Sequence, residues 1–161
     1  MGRAHLVLIG LISDTHGLLR PDVHRAFTGV ELILHAGDVG GDAILEELAR
    51  IAPVKAVWGN TDPPGDARLR ECLDLVLEGL SVHVSHGHEL GRPKPAQLAG
   101  AYDADVIIYG HTHRQLVSRV REQLIVNPGA AGPCRFDLAP SVGLLRIGDG
   151  IASAELIEVL A

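Results

Sequence analysis

Five short polar clusters interrupt the chain, and each follows a run of apolar residues that is typical of a buried strand. Residues that leave the carboxyl ends of parallel strands meet in one crevice, so a sheet with all five clusters at one edge would bring them together. Packing alone does not account for five such clusters in series. The clusters are Asp14-Thr15-His16, Gly37-Asp38, Gly59-Asn60, His86-Gly87-His88 and Gly110-His111-Thr112-His113.

The beginning of the chain has the pattern of alternating strands and helices. Pro21 suits a first helical turn, Asp42 is expected to be an N-cap, and Pro53 ends the second helix. This β-α-β-α-β order predicts a parallel sheet with right-handed crossovers. The predicted strands are residues 5–12, Glu31–His35 and Val54–Trp58, and the predicted helices are residues 21–28 and Asp42–Ile51.

Hairpins dominate the rest of the chain, which adds one predicted helix at Pro95–Ala101 and one strand at Asp105–Tyr109. Turns at Glu78-Gly79 and Gly148-Asp149-Gly150 separate the strands of two hairpins. No linker or low-complexity segment divides residues 1–161, which predicts a single domain. The predicted fold class is α/β, with two mixed β-sheets packed as a sandwich and flanked by helices. The hairpin strands are Leu73–Leu77 with Leu80–Ser85, Gln115–Val120 with Gln123–Val126, and Val142–Ile147 with Ala152–Val159.

Composition and charge exclude several classes of partner. The net charge of -6 argues against a surface for non-specific nucleic-acid binding, and no stable nucleic-acid partner is expected. A phosphate-bearing substrate remains compatible, because bound divalent cations reverse the local field. Cys72 and Cys134 are expected to be reduced thiols, and no run approaches the roughly 20 apolar residues of a membrane span. We therefore expect a cytoplasmic protein without a membrane partner, and a first strand in place of a signal peptide.

The residue types in the clusters are those of a transition-metal site. Mixed Asp, His and Asn ligands suit Mn²⁺, Fe, Zn²⁺, Co²⁺ or Ni²⁺, whereas thiolates would indicate structural zinc. A pair such as Asp14 and His16 can bind one ion, and a lone carboxylate such as Asp38 can bridge two. Two ions about 3.5–4 Å apart can hold the attacking and the leaving oxygen of a displacement at phosphorus. The clusters thus predict a two-metal hydrolytic site.

In residue type and in order along the chain, these motifs resemble those of the calcineurin-like metallophosphoesterases. Within that family the chain is similar to the small bacterial and archaeal phosphodiesterases, and the resemblance runs from Asp14 to about Arg135. It implies the metallophosphoesterase-like four-layer α/β fold and a binuclear metal-dependent phosphodiesterase. The nucleophile would be a metal-bridging hydroxide, and the substrate a small phosphoester.

The resemblance also implies the ligand set and the cofactors. Two divalent metal ions are expected, with Mn²⁺ first and Ni²⁺, Co²⁺, Zn²⁺, Fe²⁺ or Mg²⁺ as alternatives. Asp38, Asn60 and His88 are the residues expected to act in catalysis, with His88 either supporting the ligands from behind or near the substrate. One ion would be bound by Asp14, His16, Asp38 and His113, and the other by Asp38, Asn60, His86 and His111.

The chain departs from the family pattern at one position. Many members carry a histidine after the Gly-Asn pair, whereas here Thr61 follows Asn60, and a threonine is no general acid near pH 7. A metal-bound water or His88 would then protonate the leaving group. His86 and His88 compete for one ligand position, and the resemblance favours His86.

Further expectations concern the function, the assembly and the surroundings of the site. The alternative to an enzyme is a scaffold, such as the retromer subunit of the same fold, or a metal-binding sensor. The expected assembly is a homo-dimer or tetramer. Asn127-Pro128-Gly129 is expected to form a turn near the site, and Arg135 to be a solvated surface residue. Exposed or hydrogen-bonded structural roles are expected for His5, His24, His35 and His83.

Overall fold

The computed structural model describes residues 6–63, 65–135 and 137–161, and these residues form two mixed β-sheets with α-helices around them. His5, at the start of the first predicted strand, lies outside the described residues. The helices are α1 (Asp22–Ala26), α2 (Asp42–Ala49) and α3 (Pro95–Ala101). The strands are β1 (Val7–Ile12), β2 (Leu32–His35), β3 (Val54–Val57), β4 (Leu69–Arg70), β5 (Cys72–Leu77), β6 (Leu80–Ser85), β7 (Val106–Ile108), β8 (Leu116–Val120), β9 (Gln123–Asn127), β10 (Ser141–Gly148) and β11 (Ile151–Glu158).

The strands form two mixed sheets, as the β-α units at the beginning of the chain and the hairpins in the rest of it predicted. The six-stranded sheet has the order β11-β10-β1-β2-β3-β4, and β1 to β4 pair in parallel while β10 pairs antiparallel with β1 and β11. The five-stranded sheet has the order β5-β6-β7-β9-β8, with β6, β7 and β9 parallel and an antiparallel hairpin partner at each edge. The predicted parallel β1-β2-β3 unit is therefore confirmed.

Three apolar clusters hold these layers together. Leu34 of the first sheet and Ile108 of the second belong to the cluster between the sheets. Phe27, at the end of α1, and Leu48 of α2 pack on the outer face of the first sheet, and Leu98 of α3 packs on the outer face of the second. Burial of apolar side chains on both faces explains why these strands are near-continuous apolar runs. The helix-sheet-sheet-helix order confirms the predicted four-layer sandwich.

The hairpin turns follow from residues that accept a left-handed backbone. Glu78 and Gly79 have φ values of 49° and 82°, which match the two central residues of a turn suited to strand twist. Asp149 and Gly150 form an equivalent two-residue turn, with φ values of 55° and 73°. Gly148, predicted to lie in that turn, instead pairs with Ile151 at the end of the ladder.

Several local predictions were wrong or incomplete. Asp42 is the first residue of α2 and not its N-cap; the N-cap is Gly41, whose φ of 124° suits glycine. Both early helices are shorter than predicted, and Pro21 occupies the N-cap position of α1. The two-residue strand β4 and the 3₁₀ turn at His88–Leu90 were not predicted, because segments this short show no hydrophobic periodicity.

The fold brings the polar clusters to the ends of five strands. Asp14, Asp38 and Asn60 follow β1, β2 and β3 of the first sheet, while His86 and His111 follow β6 and β7 of the second. All five strands run in parallel within their sheets, so the clusters leave at carboxyl ends. Among the described residues, no helix is both long and apolar enough to span a membrane.

Candidate metal centre

Backbone hydrogen bonds align the loops that carry the candidate ligands. In the first sheet, the N–H groups of Asp14 and His16 donate to the carbonyl oxygens of Gly37 and Asp38 at 2.9 and 3.0 Å. In the second sheet, the Gly110 N–H donates to the carbonyl of His86 at 2.9 Å. The two sheets meet where the His111 N–H donates to Oδ2 of Asp14 at 3.1 Å. The loops therefore form one connected frame around the site.

Two compact groups of ligand atoms share Asp14. Asp14, His16 and His113 form the first group; Asp14, Asp38 and His86 form the second, and the ligand atoms within each lie within 4.8 Å of one another. Nε2 of His113 is 3.3 Å from Oδ1 of Asp14. Oδ2 of Asp38 lies 3.3 Å from Nε2 of His86 and 3.7 Å from Nε2 of His16, so this carboxylate faces both groups.

Asn60 and His111 lie beside the second group. Oδ1 of Asn60 is 3.1 Å from Nε2 of His86, and the ring centroid of His111 is 5.2 Å from that of His86. Nδ1 of His86 is 2.7 Å from the carbonyl of Ala36, which fixes the ring and turns Nε2 towards the carboxylates. The fold thus brings together all seven residues that the sequence predicted as metal ligands.

Five of these seven residues have a left-handed backbone conformation, which non-glycine residues rarely adopt. Each such residue costs of order 1 kcal/mol, and such strain persists only where the surrounding structure enforces it. Strain concentrated in this way is typical of functional sites. The φ values are 53° for Asp14, 45° for His16, 55° for Asp38, 70° for His111 and 63° for His113.

Two buried polar atoms in the site fit a cation. Oδ1 of Asp14 and Nε2 of His16 have no hydrogen-bond partner among the described residues. A buried carboxylate oxygen without a donor is costly, and a divalent ion would satisfy it. The mixed carboxylate and imidazole donors suit a first-row transition metal. These residues therefore fit the metal that their types predicted.

The electrostatics of the site indicate competition between protons and metal. Burial opposes ionisation of Asp38, but the hydrogen bond and charge of His86, with the Thr61 N–H, outweigh it and hold the pKa of Asp38 well below its usual range. Burial likewise opposes a charged His86, yet the Asp38 hydrogen bond and the charges of Asp14 and Asp38 raise its pKa. Metal binding to His86 must displace a proton at low pH, so metal affinity should fall on acidification.

His88 lies at the edge of the site and in neither compact group. Its ring centroid is 5.3 Å from that of His86 and 6.2 Å from that of His111. The next residue, Glu89, accepts hydrogen bonds from the Gly87 N–H at 2.9 Å and from the Tyr102 hydroxyl at 2.7 Å. The geometry therefore favours His86 over His88 as the metal ligand, and His88 lies at the edge of the site.

Sequence reasoning missed two residues that support the ligands. The Ser13 hydroxyl donates to Oδ2 of Asp14 at 2.6 Å. The buried Asp62 carboxylate accepts the N–H groups of Val39, Gly40 and Gly59 at 3.0, 3.2 and 2.9 Å, and so joins the loops after β2 and β3. Asp62 stands before two prolines and outside the five polar clusters, so no local sequence signal distinguished it.

The Asn127 side chain does more than form a turn. Its Oδ1 accepts the Gly129 N–H at 2.9 Å, as expected for a turn, while its Nδ2 donates to the Gly110 carbonyl and to Oγ1 of Thr112 at 3.2 and 3.1 Å. Asn127 therefore supports the loop that carries His111 and His113. Arg135 is exposed, and both cysteines are free and exposed.

The other described histidines have structural partners, as predicted. His24 lies 3.0 Å from Glu47 on the surface. His83 is buried, stacks on Tyr102 and places Nδ1 2.8 Å from Asp74. His35 is fully buried, with both ring nitrogens in hydrogen bonds.

The metal-free protein is expected to lose stability between pH 6.5 and pH 4 through His35. Complete burial outweighs the charges of nearby carboxylates and lowers the pKa of His35 from 6.5 to about 4. On acidification the unfolded chain takes up this proton first, so the contribution is complete above pH 6.5 and is lost towards pH 4. The loss amounts to about 3 kcal/mol.

Urea unfolding of chelator-treated protein across this pH range measures that loss. The difference between wild type and His35→Asn isolates it from the other titrating groups. Parallel stability curves for the two proteins would contradict the assignment.

The fold and the ligand cluster together define an α/β sandwich protein with a candidate metal centre. A family model described as the calcineurin-like phosphoesterase superfamily domain matches residues 7–150. A probable metallophosphoesterase of Methanothermobacter thermautotrophicus is 37% identical over 160 residues, which cover 94% of this chain and 92% of the relative. The chain belongs to the calcineurin-like phosphoesterase superfamily, as its motifs predicted.

Two further comparisons agree with this assignment. A phosphodiesterase of Methanocaldococcus jannaschii is 30% identical over 157 residues, covering 85% of this chain and 91% of that relative. The solved structure of Vacuolar Protein Sorting 29 from Cryptosporidium parvum superposes with a TM-score of 0.78 at 22% identity, covering 97% of this chain and 99% of that chain. At this identity the second comparison supports the fold alone.

Proposed function

We propose that this protein is a binuclear metal-dependent phosphodiesterase that acts on small phosphoesters. The observation that carries the proposal is the convergence of seven competent ligands at one site, five of them with a strained backbone and some with a buried atom that lacks a hydrogen-bond partner. Strained backbone and buried polar atoms without partners would lower the stability of the protein with no compensation if the site bound nothing. The phosphodiesterase among the relatives supports diester chemistry.

In the proposed site, each ion takes the ligands that the family resemblance implied. Asp38 would bridge, since Oδ2 faces both His16 and His86. Asp14 belongs to both compact groups, so it would lie close to both ions. Bound divalent ions would supply Lewis-acid stabilisation of the phosphoryl oxygens and an activated water, and Mn²⁺ is the first choice.

The residues of the chain would position and orient the reacting groups. The Ala36 carbonyl holds His86 in one ring orientation, and the Thr61 N–H fixes Oδ1 of Asp38 at 3.0 Å. Asn60 would present its amide beside His86. His88, at the edge of the site, would protonate the leaving group, because the Thr61 side chain cannot act as an acid near pH 7.

Metal reconstitution tests the proposal. Chelator-stripped protein, supplied in turn with Mn²⁺, Ni²⁺, Co²⁺, Zn²⁺ and Mg²⁺, should hydrolyse bis(p-nitrophenyl) phosphate with at least one ion. Asp38→Asn is the matched control because it keeps the size of the side chain. Bound metal without hydrolysis under all conditions would exclude the enzyme and favour a scaffold or sensor.

The scaffold is a second candidate because a vacuolar sorting protein shares the fold. A scaffold requires an interaction surface but does not require residues that can bind metal. We further propose a cytoplasmic, single-domain protein that forms a homo-oligomer, and size-exclusion chromatography with light scattering tests the assembly. A monomer at micromolar concentration would contradict that part.

Activated esters are expected to react at least about 100-fold faster than alkyl esters, because no histidine follows Asn60 to protonate a poor leaving group. Initial rates with a series of aryl and alkyl phosphodiesters under one metal condition measure the difference. His88→Gln should slow the alkyl esters more than the nitrophenyl ester. Similar rates across the series would show that leaving-group protonation is efficient.

A further inference from the structure

A buried side-chain bridge joins the two loops that carry three of the candidate ligands. Nε2 of His35, at the end of β2, lies 3.0 Å from Oγ1 of Thr15, which follows β1. Nδ1 of the same ring accepts the Gly37 N–H at 3.1 Å. Both His35 and Thr15 are fully buried, and neither belongs to the proposed ligand set.

The hydrogen bonds fix the direction of this bridge. The Thr15 hydroxyl donates its only proton to the Val39 carbonyl at 2.7 Å. It must therefore accept from His35, so Nε2 of His35 carries the proton and Nδ1 keeps a lone pair for the Gly37 N–H. The hydrogen bonds run from the Gly37 N–H through His35 and Thr15 to the Val39 carbonyl, and each of these donors has an acceptor. Only this direction of hydrogen bonding pairs all of them.

The bridge joins two loops in which the backbone is strained. Thr15 stands between Asp14 and His16, whose φ values are 53° and 45°, and Gly37 precedes Asp38, whose φ is 55°. Strained residues hold such conformations only when neighbouring contacts leave no alternative. A link that clamps Thr15 to the β2 loop therefore opposes relaxation of all three ligands.

We infer that His35 and Thr15 are positioning residues that hold Asp14, His16 and Asp38 in their metal-binding arrangement before a metal ion arrives. The inference rests on the proposed metal centre but not on hydrolysis. Partners that orient metal ligands without touching the metal typically change metal affinity 10- to 100-fold when removed. Without the bridge, metal binding must itself order the loops, and the affinity falls.

Isothermal titration of Mn²⁺ into chelator-stripped protein tests this inference. Thr15→Val removes the hydroxyl, and His35→Asn keeps an acceptor near Gly37 but is too short to reach Thr15. Each variant should raise the Kd for Mn²⁺ about 10- to 100-fold. The double variant should be about as weak as either single variant, since both break one bridge. Thr15→Ser, which retains the hydroxyl, should recover most of the affinity.

A control variant separates positioning from general destabilisation. Leu98, a residue of α3, is fully buried against the outer face of the second sheet. Leu98→Ala should lower the melting temperature at least as much as either bridge variant, with the Kd for Mn²⁺ within about twofold of wild type.

Three results would overturn the inference. They are an unchanged Kd in both bridge variants, multiplicative effects in the double variant, and failure of Thr15→Ser to restore binding. Because the titration contains no substrate, a wild type that binds Mn²⁺ without hydrolysis removes the proposed function and leaves this inference testable. If the wild type hydrolyses the ester and both bridge variants bind Mn²⁺ with the wild-type Kd, the inference is wrong and the proposed function stands.

Discussion

Asp38→Asn is expected to reduce metal-dependent hydrolysis of bis(p-nitrophenyl) phosphate by more than about 100-fold, the upper end of what loss of an indirect partner costs. Oδ2 of Asp38 is the atom that faces both His16 and His86. An amide carries no charge and offers only one oxygen, so it cannot bridge two cations in the same way. The measurement is the initial rate at saturating Mn²⁺.

The same substitution should leave the fold intact, which separates lost chemistry from lost structure. Asn tolerates the left-handed backbone at this position, and its carbonyl oxygen can still accept the Thr61 N–H. The melting temperature of the chelator-treated variant should stay within about 4 °C of wild type. A variant that retains its rate within tenfold would show that Asp38 is not the bridging ligand.

Gly59→Ala is expected to destabilise the protein and to abolish metal binding. A Cβ at position 59 would lie 2.0 Å from Oδ1 of Asp38 and 2.5 Å from its backbone nitrogen. The second contact involves backbone, so a change of rotamer cannot relieve it, and the loop after β2 must move. Overpacking of this kind costs about 3 kcal/mol. Thermal unfolding and Mn²⁺ titration measure the two effects.

Gly100→Ala is the matched control for this substitution. Gly100 lies in α3, is exposed, and a Cβ there would meet no atom within 4 Å. Alanine at this position should stabilise the helix by about 0.5–1 kcal/mol and leave Mn²⁺ binding unchanged. If Gly59→Ala and Gly100→Ala behave alike, close packing at Gly59 does not shape the site.

Strand ends and hairpins could be predicted because their signals are local. Apolar runs that stop at Gly-Asp or Gly-His identify where β2 and β7 end, and Glu78-Gly79 identifies a turn from two residues. The parallel pairing of β1, β2 and β3 also follows from the alternation of strands and helices at the beginning of the chain. These local patterns agree with the tertiary structure, which is why the four-layer arrangement was predictable.

The support around the ligands could not be predicted, because it joins residues far apart in sequence. Asp62 binds N–H groups in the loop after β2, more than 20 positions away. His35 reaches Thr15, which lies 20 positions earlier in the chain. The left-handed backbone of the ligands has no sequence signal either, since it is imposed by contacts between loops and not by glycine. The predicted N-cap of α2 was wrong for a local reason, because Gly41, with a φ of 124°, and not Asp42 precedes the helix.

The distinction between an enzyme and a scaffold depends on whether the seven residues act together on bound metal. The fold is shared with a vacuolar sorting protein, so the fold alone cannot decide. The relatives with the higher identities are a probable metallophosphoesterase and a phosphodiesterase. Strained ligands with unpartnered buried atoms are consistent with the catalytic alternative.

Stepwise addition of Mn²⁺ to chelator-stripped protein, with hydrolysis of bis(p-nitrophenyl) phosphate followed at each addition, tests the central claim most directly. A binuclear site that needs both ions should show little activity with the first equivalent and full activity after the second. Full activity at one equivalent would contradict the binuclear mechanism. Two bound equivalents without hydrolysis would contradict the assignment as a phosphodiesterase.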